Sequence, residues 1–168
     1  MEISVKTDNG YLCDKYSKYA ESKYKINGNP IVSFPIEIKN ISPKVKTMAL
    51  TFVDFDSAPV CGFVWIHWLV ANIVPTNEIP ENASADGFGS MVQGANSLIS
   101  GFVGETDKNL VYRYSGPTPP DKDHNYTLKV YGLDCELELN EGFYINELIE
   151  KMNGHIIEKA SINVKGKC

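Results

Sequence analysis

The sequence has no closely paired cysteines, no apolar run long enough to cross a bilayer and no excess of positive charge. Cys13, Cys61, Cys135 and Cys168 stand far apart without a CxxC, which excludes zinc sites built on short thiolate spacings. They read as reduced thiols, although four cysteines leave room for one or two disulfides. The longest apolar stretch, Val60 to Val74, is broken by His67 and Asn72 and falls short of the ~20 residues a membrane helix needs. The opening MEISVKTDNG lacks an apolar core of signal-peptide length, so the expectation is a cytoplasmic chain with no membrane span. Sixteen basic residues against 21 acidic ones give a net charge of -5, which disfavours nucleic acid as a partner.

Enzyme signatures are missing as well. GFGSM at 87 to 91 lacks the closing glycine of a serine-hydrolase elbow, and no P-loop, dinucleotide fingerprint or HExxH is present.

What is there suits one well-packed domain over residues 1 to 168, since 43% hydrophobic and 22% charged residues are ordinary globular values. MALTFVDF (48–55), VWIHWLVANI (64–73) and HNYTLKVYGLD (124–134) read as strands, the second so apolar that it belongs in the centre of a sheet. Ile31 to Phe34 and Ile36 to Ile41, divided by Pro35, suggest short strands, and LVYRYSGPTPP (110–120) a strand running into a stiff turn. SAP (57–59) reads as a turn or bulge that ends the strand at 48–55. Residues 75 to 110 show no period of either kind and read as a long surface excursion, with one short strand at Leu98 to Val103. Ile145, Leu148, Ile149 and Met152 predict a late helix capped by Asn140 and left through Gly154. IIEKASINV (156–164) follows as a strand or more helix. Four lysines and four tyrosines alternate between Tyr11 and Lys25, a pattern better suited to tyrosine rings packing on the surface than to nucleic acid.

The chemistry concentrates in DFDSAPVCGFVWIHWLVANI, residues 54 to 73. On a strand Asp54 and Asp56 share a face. Asp56 is expected to serve the SAP turn, while Asp54, ending a buried strand, must find a partner or take up a proton. His67 interrupts an apolar run, where it is either a core histidine bonded to a carbonyl or the polar floor of a pocket. His124 opens the next strand, and His155, after Gly154, reads as a helix-end residue.

Several ordered motifs resemble the bacterial and archaeal branch of the phosphatidylethanolamine-binding protein family. They are Asp54, Asp56 and Pro59; His67 to Asn72; Gly116, Pro117, Pro119 and Pro120; His124 with Tyr126; and the tail from GLDCELELN to Gly154–His155. The resemblance runs from Tyr11 to Val164. It implies a mostly β fold: a β-sandwich with a large central sheet, a long loop region and a C-terminal helix. It further implies a small anion cavity walled by Asp54, His67, Ser115, Gly116, His124 and Tyr126, with a cis peptide before Pro59. The two imidazoles, the Tyr126 hydroxyl and the amides of Ser115 and Gly116 would donate to the anion. Asp54 would orient a histidine, or accept from a protonated phosphate oxygen or an ammonium group.

The implied function is binding of a small anion or phosphorylated small molecule, with no turnover, cofactor or metal. Two other readings stay open: inhibition of a kinase or protease target by protein contact, and a cryptic hydrolase using Asp54, His67 and His124. Bacterial relatives further suggest a homodimer. Departures from the family pattern are Thr118 in place of a cysteine, FVGETDKNL before the turn, and the closing INVKGKC.

Overall fold

The longest strands arise where β-branched and aromatic residues are densest, and they carry the sheet that positions everything else. The computed structural model describes residues 1–168. In chain order the strands are β1 (Glu2–Ser4), β2 (Thr7–Asp8), β3 (Tyr11–Leu12), β4 (Lys25–Ile26), β5 (Asn29–Pro30) and β6 (Ile36–Lys39). They continue with β7 (Thr47–Asp54), β8 (Trp65–Ile73), β9 (Glu78–Ile79), β10 (Val92–Gln93), β11 (His124–Leu133) and β12 (Ile156–Gly166). Helices are short: α1 (Ala58–Cys61), α2 (Ala83–Asp86), α3 (Lys108–Val111) and α4 (Ile145–Met152).

A seven-stranded sheet runs β10-β8-β7-β11-β12-β3-β2, antiparallel except where β12 meets β3. A three-stranded sheet, β1-β6-β9, packs on one face of it through Ile36, Ile38 and Ile79, which share a core with Met48, Leu50, Phe52, Trp68 and Val70. On the opposite face Ala49, Leu69 and Ala71 meet Leu148 and Met152 of α4 and Phe143. β8 is therefore buried on both sides, which accounts for its almost unbroken apolar sequence. No helix is long and apolar enough to cross a membrane.

Several sequence expectations need correction. Ile31 to Phe34 pairs with no strand, and the strand after Pro35 ends at Lys39. Leu98 to Val103 is not a strand either: Ser97–Ile99 forms a 3-10 turn whose Leu98 amide donates to the Asn96 side chain. Leu110 and Val111 belong to α3, started by the Asp107 carboxylate accepting from the Asn109 amide, and the chain from Tyr112 to Pro120 has no regular element. SAP opens α1 rather than a turn, with Pro59 in its first turn, where a missing N–H costs nothing. No peptide bond is cis, so the expectation at Pro59 fails.

The late helix starts at Ile145, five residues beyond Asn140, with the Glu147 carboxylate accepting from the Tyr144 amide at 2.8 Å. Ile149 is 58% exposed, so the buried stripe narrows to Leu148 and Met152 with Ile145 beside them. Gly154 takes the left-handed exit at φ +83°.

The excursion from 75 to 110 is a surface segment only in part: it is exposed around residues 85–90 and 101–109 but enters the core between Gln93 and Leu98. Gln93 is buried, its side-chain oxygen accepting from the Trp68 indole at 2.8 Å and the Ser84 hydroxyl at 2.7 Å. Asn96 donates to the carbonyls of Leu110 and Arg113. Buried amide side chains here satisfy backbone groups that a ladder would otherwise pair, which lets an aperiodic segment enter the core.

Candidate functional site

Strand register assembles the site. Asp54 closes β7 and stands opposite Trp65 on β8 and Tyr126 on β11. Both neighbours run antiparallel to β7, so the end of one strand meets the beginnings of two. His67 lies two residues after Trp65, and His124 two residues before Tyr126.

A β-bulge re-aims His67. The β7–β8 register shifts between Phe52, opposite Trp68, and Val53, opposite Ile66, leaving His67 as the extra residue. Strict alternation would put His67 and Trp68 on opposite faces. The bulge lets both turn toward Phe52, which lies 5.7 Å from the His67 ring centroid. A bulged residue loses its ladder partners, and Ser115 replaces them. The Ser115 amide donates to the His67 carbonyl at 3.0 Å, and His67 Nδ1 donates to the Ser115 carbonyl at 2.7 Å.

A carbonyl can only accept, so Nδ1 carries the ring proton and Nε2 is left as an acceptor. Burial pushes the imidazole down to about 4, against the favourable Ser115 carbonyl and Asp54. His67 is therefore neutral near pH 7, and its ring offers the recess a lone pair.

His124 is held at both nitrogens, Nδ1 at 2.7 Å from Asp54 and Nε2 at 2.9 Å from Asp121. Burial opposes its charge, but the two carboxylates outweigh burial and raise its pKa. The other Asp54 oxygen accepts from the Ser57 amide at 3.1 Å, so Asp54 performs the turn role expected of Asp56. Asp56 lies beyond the strand end, where alternation no longer holds, and accepts from the Asn125 amide at 2.8 Å. Burial first, then the nearby Asp54 charge, raises the Tyr126 pKa and keeps its hydroxyl protonated as a donor.

Asp54, His67, His124 and Tyr126 line one cavity of about 170 Å³, together with Ser57, Val60, Cys61, Trp65, Thr118, Pro119 and Pro120. Ser115 and Gly116 stand behind this wall. The Ser115 amide is committed to the His67 carbonyl, and the Gly116 amide donates to the Pro30 carbonyl at 2.9 Å. Gly116 is glycine because a Cβ there would collide with the Tyr16 carbonyl and come within 2.8 Å of Pro30. Trp65 escaped the sequence reading although its two-residue spacing from His67 was visible. Asp121 escaped because a loop carboxylate three residues before a histidine carries no special signal.

The Ser57 hydroxyl and the Cys61 thiol are bonded to backbone groups rather than paired with a general base. Ser57 Oγ lies 2.7 Å from the Asp54 carbonyl and 2.9 Å from that of Phe63, and it accepts from the Trp65 amide. Cys61 Sγ faces the carbonyls of Ser57 and Phe63. Outward from the lining residue Trp65, Phe63 and then Phe102 stack in series, with centroids 5.7 and 6.0 Å apart.

The family model for phosphatidylethanolamine-binding protein matches residues 2–166. The chain belongs to this family. Within it, the chain is 55% identical over 165 residues to YxkA of Bacillus subtilis (strain 168), covering 98% of each. A UPF0098 protein of Pyrococcus horikoshii is 34% identical over 148 residues, 84% of this chain and 67% of the relative. Among solved structures, a phosphatidylethanolamine-binding protein homologue from Chlamydia trachomatis superposes with a TM-score of 0.74 at 28% identity, covering 99% and 95% of the two chains. YbcL of E. coli gives a TM-score of 0.78 at 20% identity over 99% and 98%, a likeness of fold alone. The phosphatidylethanolamine-binding fold is thus shared along nearly the whole chain, including both strands that deliver the histidines.

Proposed function

We propose that the recess binds a phosphoryl group that retains a proton, as free phosphate or as the headgroup of a phosphorylated small molecule, without turning it over. The observation that carries this reading is the unequal commitment of the polar side chains around one cavity. His124 has both nitrogens bonded, whereas His67 Nε2 remains an acceptor beside the Asp54 carboxylate and the Tyr126 hydroxyl. A fully deprotonated anion would meet a lone pair and a carboxylate. A protonated anion brings an O–H that the His67 Nε2 lone pair accepts, while Tyr126 donates to one of its bare oxygens and the imidazolium of His124 offsets part of its charge.

Size supports a headgroup rather than a whole lipid. At about 170 Å³ the recess suits a phosphoryl group with a short substituent. A longer substituent would leave along the Trp65–Phe63–Phe102 stack. The four free thiols fit a reducing compartment, so we place the protein in the cytoplasm.

Phosphoethanolamine titrated at pH 6 while ring signals of His67 and His124 are followed by NMR tests the reading. Saturable movement of both signals is expected, together with loss of binding in Tyr126→Phe. Signals that stay fixed to high millimolar ligand would refute it.

A further inference from the structure

We propose that Asp134, Cys135 and His155 form a zinc-binding site, independent of the recess. Their ligand atoms, one carboxylate oxygen, one thiol sulfur and one imidazole nitrogen, lie within 4.8 Å of one another. The site sits at the far end of the central sheet. β11 runs from His124 to Leu133, so Asp134 stands roughly 30 Å along the strand from the recess.

The geometry is close to what the ion requires. Zinc bonds of about 2.0 Å to nitrogen or oxygen and about 2.3 Å to sulfur separate these tetrahedral ligand atoms by about 3.3 to 3.5 Å. Three atoms already inside 4.8 Å can close on one ion by side-chain rotation. His155 Nδ1 and Asp134 Oδ1 now share a hydrogen bond of 2.8 Å. Replacing that proton by zinc asks the pair to spread by about half an ångström.

Backbone contacts hold the two segments together before any ion arrives. The Asp134 amide donates to the His155 carbonyl at 3.1 Å, and the His155 amide to the Met152 carbonyl at 3.0 Å. The Thr47 hydroxyl bonds the Cys135 carbonyl. Asp134 and His155 are exposed and Cys135 is half-buried, which leaves an entry path and room for water as a fourth ligand. One thiolate, one imidazole and one carboxylate suit a borderline-soft ion and suit calcium or magnesium poorly.

Binding releases a proton from the Cys135 thiol, because the thiolate is the ligand. Lys46 is a cation close to both Asp134 and Cys135. A bound ion would join the end of β11 to the start of β12 and close the excursion that carries α4. It would stabilise the fold in proportion to its occupancy.

Cobalt(II), whose thiolate complexes absorb in the near ultraviolet, is the probe for this site in the reduced full-length chain. One equivalent should produce the thiolate-to-cobalt band, and zinc should abolish it by displacement. The band should vanish in Cys135→Ser and persist when Cys13, Cys61 and Cys168 are all replaced by serine. His155→Gln, an exposed substitution, should weaken cobalt binding at least about tenfold. Absence of the band in the unmodified chain, or its survival in Cys135→Ser, would overturn the proposal. Neither result bears on phosphate binding at the recess.

Discussion

His67 and Ser115 clasp each other by two hydrogen bonds, 2.7 Å from the imidazole Nδ1 to the Ser115 carbonyl and 3.0 Å from the Ser115 amide to the His67 carbonyl. The first bond fixes the tautomer, and the second repairs the backbone that the bulge in β8 leaves unpaired. Together they turn a histidine in an apolar strand into an acceptor aimed at the recess. They also make it a structural residue.

The depressed pKa of His67 predicts a stability slope. The folded ring titrates at about 4, and an unfolded histidine near 6.5. Between those values the unfolded chain binds more protons, so stability is complete above about pH 6.5 and is lost as pH falls through the window toward 4. The full loss amounts to about 3 kcal/mol. Urea denaturation measured from pH 7 to 4 should show it, and His67→Gln should flatten the slope. An unchanged slope in the variant would show that other groups carry it.

His124 predicts the opposite sign. Its pKa is raised in the folded chain, where the two carboxylates win over burial, so its contribution is present below the unfolded value and lost as pH rises through the folded one. The ring titration followed by NMR should have its midpoint above the ordinary histidine value. In Asp54→Asn the midpoint should fall, because burial remains while one carboxylate goes. A midpoint indifferent to Asp54 would separate the two residues in solution.

Gly116 predicts a loss of stability rather than of binding. A methyl group there meets the Tyr16 carbonyl and Pro30, neither of which is a flexible side-chain end. Gly116→Ala should cost about 1–3 kcal/mol in denaturation. Phosphate affinity per folded molecule should be unchanged, since the Gly116 amide is bonded to Pro30. Lost affinity with intact stability would instead put Gly116 in contact with the ligand.

Much of this was legible in the residues, for reasons particular to each. β7, β8 and β11 were visible because alternating or continuous apolar patterns reflect one or two buried faces, whereas residues 156 to 164 read as strand or more helix and belong to β12. Asp54, His67, His124 and Tyr126 were named from ordered motifs that the strand register then brought together at one end of three neighbouring strands. The bulge at His67 was invisible, because no residue type announces it and strict alternation points the other way. The tautomer of His67 and the commitment of the Ser115 and Gly116 amides depend on partners 48 and more residues distant. Residues 75 to 110 misled for a related reason. Gln93 and Asn96 look like loop residues by type, yet both are buried and bonded, and only tertiary contacts make them so.

Calorimetric titration of inorganic phosphate against sulfate at pH 6 tests most directly whether the recess selects an anion that carries a proton. The two ions are alike in size and shape, but sulfate has no hydrogen to offer His67 Nε2 or Asp54. A His67 Nε2 lone pair left without a donor costs about 1.4 kcal/mol or more, so phosphate should bind at least about tenfold tighter. Sulfate binding as tightly as phosphate would contradict the account.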